Sequence, residues 1–238
     1  MTIFKKLVGI AMIATMMISL AVFAQDGAKK SKLSKIKLDS DATKLGYTFG
    51  TQIGGQLAGS GLGDDIDIDA VVAAIRDVVG GNEPRMSAEE MQQAQAAYQQ
   101  KAQTELAAIA AENQTKGDEY LALNAKTEGV ITADSGLQYQ IERAGKGKQP
   151  TAEDTVKVHY AGSLVDGTEF DSSYKRGAPA DFPVSGVIPG FSEGLQLMKE
   201  GAKYRFVIPA AQAYGEQAPP TIGPNQVLVF EVELIEVL

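Results

Sequence analysis

The sequence predicts an α+β protein, in which an all-α N-terminal domain is joined by one long helix to a C-terminal antiparallel sheet wrapped on a single short helix. Between residues 39 and 126, apolar residues recur at three- and four-residue spacing, which is typical of helices. From residue 137 onward they alternate with polar residues, which is typical of half-buried strands. The predicted segments are a signal peptide at 1–24, a flexible basic segment at 25–37, a helical domain at 38–86, a connecting helix at 87–126 and the sheet domain at 127–238.

The first 24 residues have the pattern of a cleaved secretory signal peptide. Lys5 and Lys6 precede an apolar run, and small residues lead into the polar Gln25. A membrane anchor is the alternative, although the run is short for one. The chain has no cysteine, so it needs no thiol chemistry in an oxidising compartment. We therefore predict export to the periplasm, with association with the outer cell surface as the alternative.

The charge balance argues against nucleic acid as a partner. The formal net charge is −8, and loss of the predicted signal peptide removes two lysines and no acidic residue, which leaves −10. Proteins bind phosphate backbones through basic patches, so we interpret the acidic surplus as a contribution to solubility. The basic segment at 25–37 is predicted to be a solvated, mobile end, and tethering to an acidic surface is the alternative.

The first predicted helix begins at Asp39 or Ser40, either of which can cap it. Three glycines recur at four-residue spacing along it: Gly46, Gly50 and Gly54. A glycine inside a helix costs about 1 kcal/mol relative to alanine. The regular spacing therefore predicts a second helix that presses closely on this face, and breaks in the helix are the alternative.

Two more helices are predicted before the sheet domain. A short one covers residues 67–79, and a long one begins at a capping box formed by Ser87 and Glu90. The apolar residues of the long helix become sparse beyond Ile109, so it has no core of its own. Because two short helices and the head of a rod make a poor independent core, we predict a homodimer in which about residues 38–110 of two chains intertwine. A three-helix monomer is the alternative.

The C-terminal part is predicted as an antiparallel sheet around one short helix. The predicted strands cover 137–142, 156–160, 180–184, 203–208 and 228–234, and the helix covers 191–199. Pro183 limits the third strand to the edge of the sheet. The alternation is one-sided, so we expect one face to pack on the helix and the other to be solvated. A pocket is then expected between the helix and the concave sheet.

One stretch, VKVHYAGSLVDGTEFDSS at 156–173, favours a ligand site. Tyr160 points inward, Ala161-Gly162 closes the strand, and Phe170 and Asp171 begin a polar loop after an Asp-Gly turn. These side chains would form an apolar pocket with one fixed polar group. Taken singly, the aromatic residues are typical of a core and Asp171 of a loop, so only their joint spacing favours a site. His159 points to the opposite face and is predicted to be a structural or surface residue, not a base or a ligand.

These residues resemble the signature of the FKBP family of peptidyl-prolyl cis-trans isomerases. The later blocks VIPGFSEGLQLM at 187–198, GAKYRFVIPAAQAYG at 201–215 and LVFEVELIEV at 228–237 agree in order and spacing. The N-terminal part is similar to the helical dimerisation region of the macrophage infectivity potentiator type. The resemblance implies a homodimeric isomerase that acts on proline-containing unfolded or partly folded polypeptides, assists the folding of exported proteins and binds macrolide-type inhibitors. It implies no cofactor and no metal.

The resemblance also implies the residues of the site. The implied catalytic residues are Asp171, Tyr214, Phe170 and Phe230, and the implied substrate-binding residues are Tyr160, Val187, Ile188 and Phe191. Asp171 would lie near the twisting carbonyl, while the Ile188 N–H and the Tyr214 hydroxyl would hold substrate carbonyls. The chain departs from the family in having Phe191 where a Trp is usual and Ala218 where a His is often found. One expected aromatic position stays unassigned between Ala180 and Phe182.

The predicted chemistry needs no nucleophile. The barrier to X-Pro rotation, about 18–20 kcal/mol, arises from amide resonance, so an apolar cradle that favours the less polar twisted state is the main requirement. This agrees with a chain that has one His and no Cys. The alternative function is a dimeric chaperone whose helical arms bind unfolded clients with little or no isomerase activity. An isomerisation assay on a short X-Pro peptide separates the two.

Overall fold

The computed structural model describes residues 36–60, 62 and 65–238. The predicted signal peptide, 1–24, and the basic segment as far as residue 35 lie outside the described residues. The chain divides into two compact units, Met1–Gln103 and Thr104–Leu238, and the longest helix runs across the boundary between them. None of the helices in the described part of the chain combines the length and apolar character needed to cross a membrane.

The first unit contains the helices α1, Asp41–Gly59, and α2, Ile68–Val79, and the beginning of α3, Ala88–Asn124. Each helix begins at a side-chain cap. The Thr43 N–H donates to Ser40 Oγ at 3.2 Å, and the Asp69 N–H donates to Asp67 Oδ1 at 2.8 Å. The predicted capping box of α3 is present, since the Ser87 N–H donates to Glu90 Oε2 at 2.7 Å. The predicted helices are thus confirmed, and Ser40 rather than Asp39 caps the first.

The apolar faces of α1 and α2 stay open to solvent in a single chain. Neither helix has a buried residue, and Phe49 and Val79 are among the exposed large apolar side chains. The glycines at 46, 50 and 54 do not break α1, because the helix is continuous through them. A Cβ placed on any of the three would meet nothing within 4 Å in the described chain. The described part of the chain therefore supplies no second helix at the glycine face.

The second unit is built on one antiparallel sheet. Its strands within the described residues are β1, Val130–Thr132; β2, Gln138–Arg143; β3, Thr155–Leu164; β4, Glu169–Ser172; β5, Ala180–Pro183; β6, Lys203–Ile208; and β7, Leu228–Val237. Their order is β1-β2-β6-β7-β3-β4, and β5 pairs with the first half of β3. Two short helices, α4, Ser173–Arg176, and α5, Pro189–Leu197, follow β4 and β5. The edge position of β5 agrees with the expectation from Pro183.

The core lies between the concave face of this sheet and α5. Along β3 every second residue is buried, as its alternation predicts, so that Val156, Val158 and Tyr160 face the helix. From α5 the side chains of Phe191 and Leu195 pack against them. Gly194 allows the close approach, since a Cβ there would lie 2.7 Å from the ring of the fully buried Phe206.

The opposite face of the sheet is covered where it was predicted to be solvated. The last turns of α3 pack against a cluster of valines that projects from this face, Val207, Val227 and Val229. The face also holds Gln138, which is 4% exposed although its place in the alternation predicts a wet side chain. Its amide donates to the Leu121 carbonyl at 3.0 Å and accepts from the Asn124 amide at 2.7 Å. The expectation of a solvated face is wrong here because a distant helix supplies the cover.

Gly117 of α3 lies against Val227 on this face, and it does not interrupt the helix. A Cβ at Gly117 would lie 2.7 Å from Val227 Cγ2. Gly117→Val is therefore expected to reduce the free energy of unfolding of this unit by about 1–3 kcal/mol, because it overpacks this contact. Chemical denaturation of the full chain measures this change.

The control for Gly117→Val is a double-mutant cycle with Val227→Ala. Gly117→Val in the Val227→Ala background is expected to destabilise less than in the wild type, because the truncated valine makes room for the new side chain. Independent, additive effects of the two substitutions would contradict the close contact.

Three predicted boundaries differ from the structure. The strand β3 continues to Leu164 and does not close at Ala161-Gly162, and Phe170 and Asp171 lie in the strand β4 rather than in a loop. The predicted loop that follows contains α4, which Ser172 caps and which Gly177 ends with φ 76. The pairing of Gly162 with Asp171 explains the first two differences, because it extends the ladder past the glycine.

Candidate active site

Aromatic rings from five separate elements meet at one end of the core. We call this group the aromatic hollow and define it by its members: Tyr160 on β3, Phe170 on β4, Phe182 on β5, Phe191 on α5 and Phe230 on β7. The Tyr160 ring centroid lies 5.4 Å from that of Phe182 and 6.3 Å from that of Phe191. The ring centroids of Phe191 and Phe230 are 5.0 Å apart, and the two ring planes are inclined at 67°. These tilted and edge-to-face arrangements are the favoured ones for aromatic pairs.

Gly162 makes room for two of these rings. It is the register partner of Phe230 on β7, and a Cβ at this position would lie 2.7 Å from both the Phe170 and the Phe230 ring. The edge-to-face contact of those rings, with centroids 5.6 Å apart, therefore depends on a residue without a side chain. The glycine that was predicted to end the strand instead shapes the wall of the hollow.

Three polar side chains join at the rim of the aromatic hollow, and we call them the polar triad. The Tyr160 hydroxyl donates to Asp171 Oδ2 at 2.5 Å. Arg176 forms an ion pair with Asp171 through Nη1, and its Nη2 donates to the Tyr160 hydroxyl at 2.8 Å. The guanidinium carbon also stands 5.3 Å from the centre of the Tyr160 ring. Each member thus contacts the other two.

The surroundings of the polar triad fix its charges. Burial raises the pKa of the Asp171 carboxyl, but the hydrogen bonds from Tyr160 and Arg176 outweigh this, so the pKa lies below its ordinary value. Burial and the bond to Asp171 raise the pKa of the Tyr160 phenol. The pKa of the Arg176 guanidinium is raised by its bonds to Tyr160 and Asp171. At neutral pH the rim therefore holds a carboxylate, a phenol and a guanidinium.

The structure brings five of the eight predicted site residues into direct contact: Tyr160, Phe170, Asp171, Phe191 and Phe230. Val187 and Ile188 are half-buried and pack on the same core at the start of α5. The eighth, Tyr214, is 41% exposed in the loop between β6 and β7. Its contact with substrate stays a prediction.

Two further residues, Phe182 and Arg176, contact the predicted site residues, although the sequence did not assign them to the site. Of the two candidates for the undecided aromatic position, Phe182 has its ring near those of Tyr160 and Phe191, while Ala180 pairs with Val158 along the strand. Arg176 reaches Asp171 because α4 turns the chain back after β4. The capping Ser172 and the terminating Gly177 were the available signals for that turn.

His159 lies on the other side of β3, as predicted. Its Nδ1 is 3.0 Å from Ser173 Oγ, and its ring stacks on Tyr174 with centroids 4.6 Å apart. The Ser173 hydroxyl also accepts from the Tyr160 N–H at 2.8 Å. These contacts fix α4 to β3 and so help to place Arg176 at the rim.

Both parts of the chain are similar to proteins of one known family. Residues 146–235 match the family model described as FKBP-type peptidyl-prolyl cis-trans isomerase, and residues 42–141 match the domain amino terminal to that isomerase. The FKBP-type peptidyl-prolyl cis-trans isomerase FkpA of Aeromonas hydrophila is 42% identical over 221 residues, which cover 89% of this chain and 82% of that protein. The outer membrane protein MIP of Legionella longbeachae is 40% identical over 205 residues, which cover 84% of this chain and 87% of that protein.

A solved structure extends the likeness to the fold. The crystal structure of FkpA from Escherichia coli matches with a TM-score of 0.63 at 40% identity, covering 84% of this chain and 98% of that one. The predicted combination of a helical N-terminal domain and an FKBP-like sheet is thus confirmed. The chain therefore belongs to the FKBP-type peptidyl-prolyl cis-trans isomerases and catalyses rotation about X-Pro bonds.

Proposed function

We propose that prolyl rotation takes place in the aromatic hollow, and that the polar triad orients Asp171 toward the twisting amide. The observation that supports this is the arrangement itself, in which aromatic rings from five elements adjoin one charged network at their rim. An apolar group of side chains with a few convergent polar groups is typical of a ligand site.

The hollow would act mainly by removing water from the amide. In the planar ground state the carbonyl oxygen carries extra negative charge from resonance, and water stabilises it by hydrogen bonding. Rotation destroys this resonance, so the twisted amide depends less on water than the planar amide does. Placing the amide against apolar rings therefore destabilises the twisted state less than the planar state. The proline ring would rest against Phe191, between Tyr160 and Phe230, where its neighbours would be aromatic rings. The preference for the twisted state is the source of catalysis.

Asp171 would add an electrostatic contribution. The carbonyl carbon becomes more ketone-like as the amide twists, and a fixed anion near it favours that change. Tyr160 and Arg176 hold the carboxylate in place before substrate binds, so it need not reorganise during rotation. The Ile188 N–H and the Tyr214 hydroxyl are proposed to hold the backbone carbonyls of the substrate.

An isomerisation assay with a short X-Pro peptide and a macrolide ligand tests the location of the reaction. The full chain is expected to accelerate the cis-to-trans step, and one equivalent of macrolide per chain is expected to remove the acceleration. Acceleration that persists with the macrolide bound would place the chemistry outside the aromatic hollow.

The rate is expected to be independent of pH between about 5 and 9. The lowered pKa of Asp171 keeps it ionised throughout this range, and the raised pKa of Tyr160 keeps it neutral. The stabilisation from Asp171 is present above its unfolded pKa and is lost as pH falls through the folded value; that from Tyr160 is lost as pH rises through its raised folded value. Measuring kcat/KM with a peptide that has no titrating group checks this, and a step near neutral pH would contradict it.

We also propose that two chains form a homodimer through α1 and α2. The argument rests on the exposed apolar faces of these helices and on the glycine face of α1, which the described residues of one chain leave open. With no partner at that face, Gly50→Ala should stabilise α1 by about 1 kcal/mol. With a partner helix pressed against it, the added methyl should instead weaken association.

Sedimentation of the wild type and of Gly50→Ala separates these cases. We expect a species of twice the chain mass at micromolar concentration, and a larger dimer dissociation constant for Gly50→Ala. A monomeric wild type, or a Gly50→Ala variant that is more stable and equally associated, would contradict the dimer.

A chaperone activity is the second candidate, and the same exposed faces favour it. Paired units would raise the local concentration of client near two hollows. Suppression of aggregation by the Asp171→Ala variant, compared with the wild type, tests whether client holding is separate from catalysis. Equal suppression supports a separate activity, and its loss together with turnover would contradict it.

Export to the periplasm is proposed from the pattern of residues 1–24. Mass spectrometry of the protein recovered from a periplasmic extract is expected to find a chain that starts at Gln25. Recovery of the uncleaved chain in the membrane fraction would favour an anchor instead.

A further inference from the structure

The end of α3 also contacts the loop that carries Tyr214. This loop, residues 209–227, connects β6 to β7, and it packs on the same core as the aromatic hollow through the buried Ala218 and Ile222. The Asn113 amide of α3 donates to the Pro224 carbonyl at 2.8 Å. One turn later along the helix, Gly117 lies against Val227. Helix and loop are therefore joined at two neighbouring points.

One backbone hydrogen bond extends this contact to the proposed site. Pro224 is followed by Asn225, whose N–H donates to the Gly215 carbonyl at 2.8 Å. Asn225 has φ 51, in the left-handed region that asparagine enters more readily than most residues with a side chain. Gly215 directly follows Tyr214. Two hydrogen bonds in series thus connect the helix with the backbone beside the tyrosine.

We propose that Asn113 is a positioning residue for the isomerase reaction, which holds the 209–227 loop, and with it Tyr214, in the conformation that receives substrate. This inference rests on the proposed role of Tyr214. Pro224 is buried, so removing the Asn113 donor leaves its carbonyl without that partner and weakens the hold on the loop. A loop that spends part of its time elsewhere lowers the fraction of enzyme that can bind substrate.

The substitution Asn113→Asp tests the hydrogen bond itself, because it keeps the shape of the side chain and replaces the donor by an acceptor. Its control is Ala111→Glu, which adds the same single charge at an exposed position of the same helix. In the full chain, Asn113→Asp is expected to raise KM for an X-Pro peptide about three- to tenfold with kcat unchanged. Exchange NMR over a range of peptide concentrations separates the two constants.

A second measurement follows the loop directly. Hydrogen exchange of the Asn225 N–H is expected to accelerate in Asn113→Asp and to stay at the wild-type rate in Ala111→Glu. Faster exchange with an unchanged KM would overturn the proposal, because the loop would then move without effect on the site. Unchanged exchange and KM would overturn it as well, and so would a joint fall in kcat and thermal stability.

Two variants keep this proposal distinguishable from the proposed function. Tyr214→Phe and Asp171→Ala are assayed with the same peptide. If Tyr214→Phe isomerises the peptide at the wild-type rate and Asp171→Ala is slower, the loop has no part in the mechanism. The aromatic hollow then remains the proposed site. A normal Asp171→Ala contradicts the role proposed for Asp171, whatever Asn113→Asp does.

Discussion

Phe230→Ala is expected to lower kcat/KM by about tenfold or more and to reduce the free energy of unfolding by about 3–5 kcal/mol. The side chain is 6% exposed, and its ring contacts those of Tyr160, Phe170 and Phe191, so its removal opens a cavity in the middle of the aromatic hollow. Water that enters this cavity would hydrogen-bond to the planar amide and remove the advantage of the twisted state. The peptide isomerisation assay and chemical denaturation measure the two effects.

The control must separate the effect of lower stability from the effect of removing a side chain that lines the aromatic hollow. Phe206 is the register partner of Phe230 on β6 and is fully buried, but it is not part of the aromatic hollow. Phe230→Leu and Phe206→Leu should therefore cost similar stability, while only Phe230→Leu should lower the rate. Equal rates in these two variants, with both proteins folded, would count against Phe230 as a wall of the site.

Asp171→Ala is expected to lower kcat/KM by about tenfold while the fold persists. The side chain is 42% exposed, so its removal takes away a fixed charge at the rim and little packing. It also releases the Tyr160 hydroxyl and Arg176 from their shared partner. The rate of peptide isomerisation and a near-ultraviolet spectrum, which reports on the packed rings, together check the expectation.

Asp154 provides a matched acidic control for Asp171. Its pKa is lowered to about 2, chiefly by the hydrogen bond from the Thr151 N–H at 2.8 Å, with a further bond from Lys148. It lies before β3 and is not a member of the polar triad. Asp154→Ala should therefore shift the acid-unfolding midpoint to higher pH and leave the rate unchanged. Near-normal turnover in Asp171→Ala, or an equal loss in Asp154→Ala, would contradict the role proposed for Asp171.

Local periodicity was sufficient to predict most elements of the fold. The burial of alternate residues along β3 follows from its own sequence, as do the caps at Ser40 and Ser87. These features depend on residues within one turn or one strand of each other. The family resemblance likewise implied that Tyr160, Asp171 and Phe230 lie together, as they do, although no single one of them indicates a site by itself.

The errors concern contacts between residues that are distant in the chain. Val207 and Gln138 occupy wet positions of their strands by alternation, yet both are buried because α3 covers them. The helix showed no apolar stripe there, since Gly117 and the polar Asn124 contribute to the contact. Arg176 escaped notice for a related reason, because the sequence does not specify where a four-residue helix directs its last side chain.

The position of β7 has a consequence for how the polypeptide acquires its structure. This strand is synthesised after all the others, yet it lies in the interior of the sheet between β6 and β3. Until residue 237 has left the ribosome, β3 and β6 have no partner to join them, and the pairing of Val156 with Val237 spans most of the unit. Such long-range pairing is slow. The sheet is therefore expected to stay incomplete until β7 has been synthesised, which agrees with the export proposed from residues 1–24.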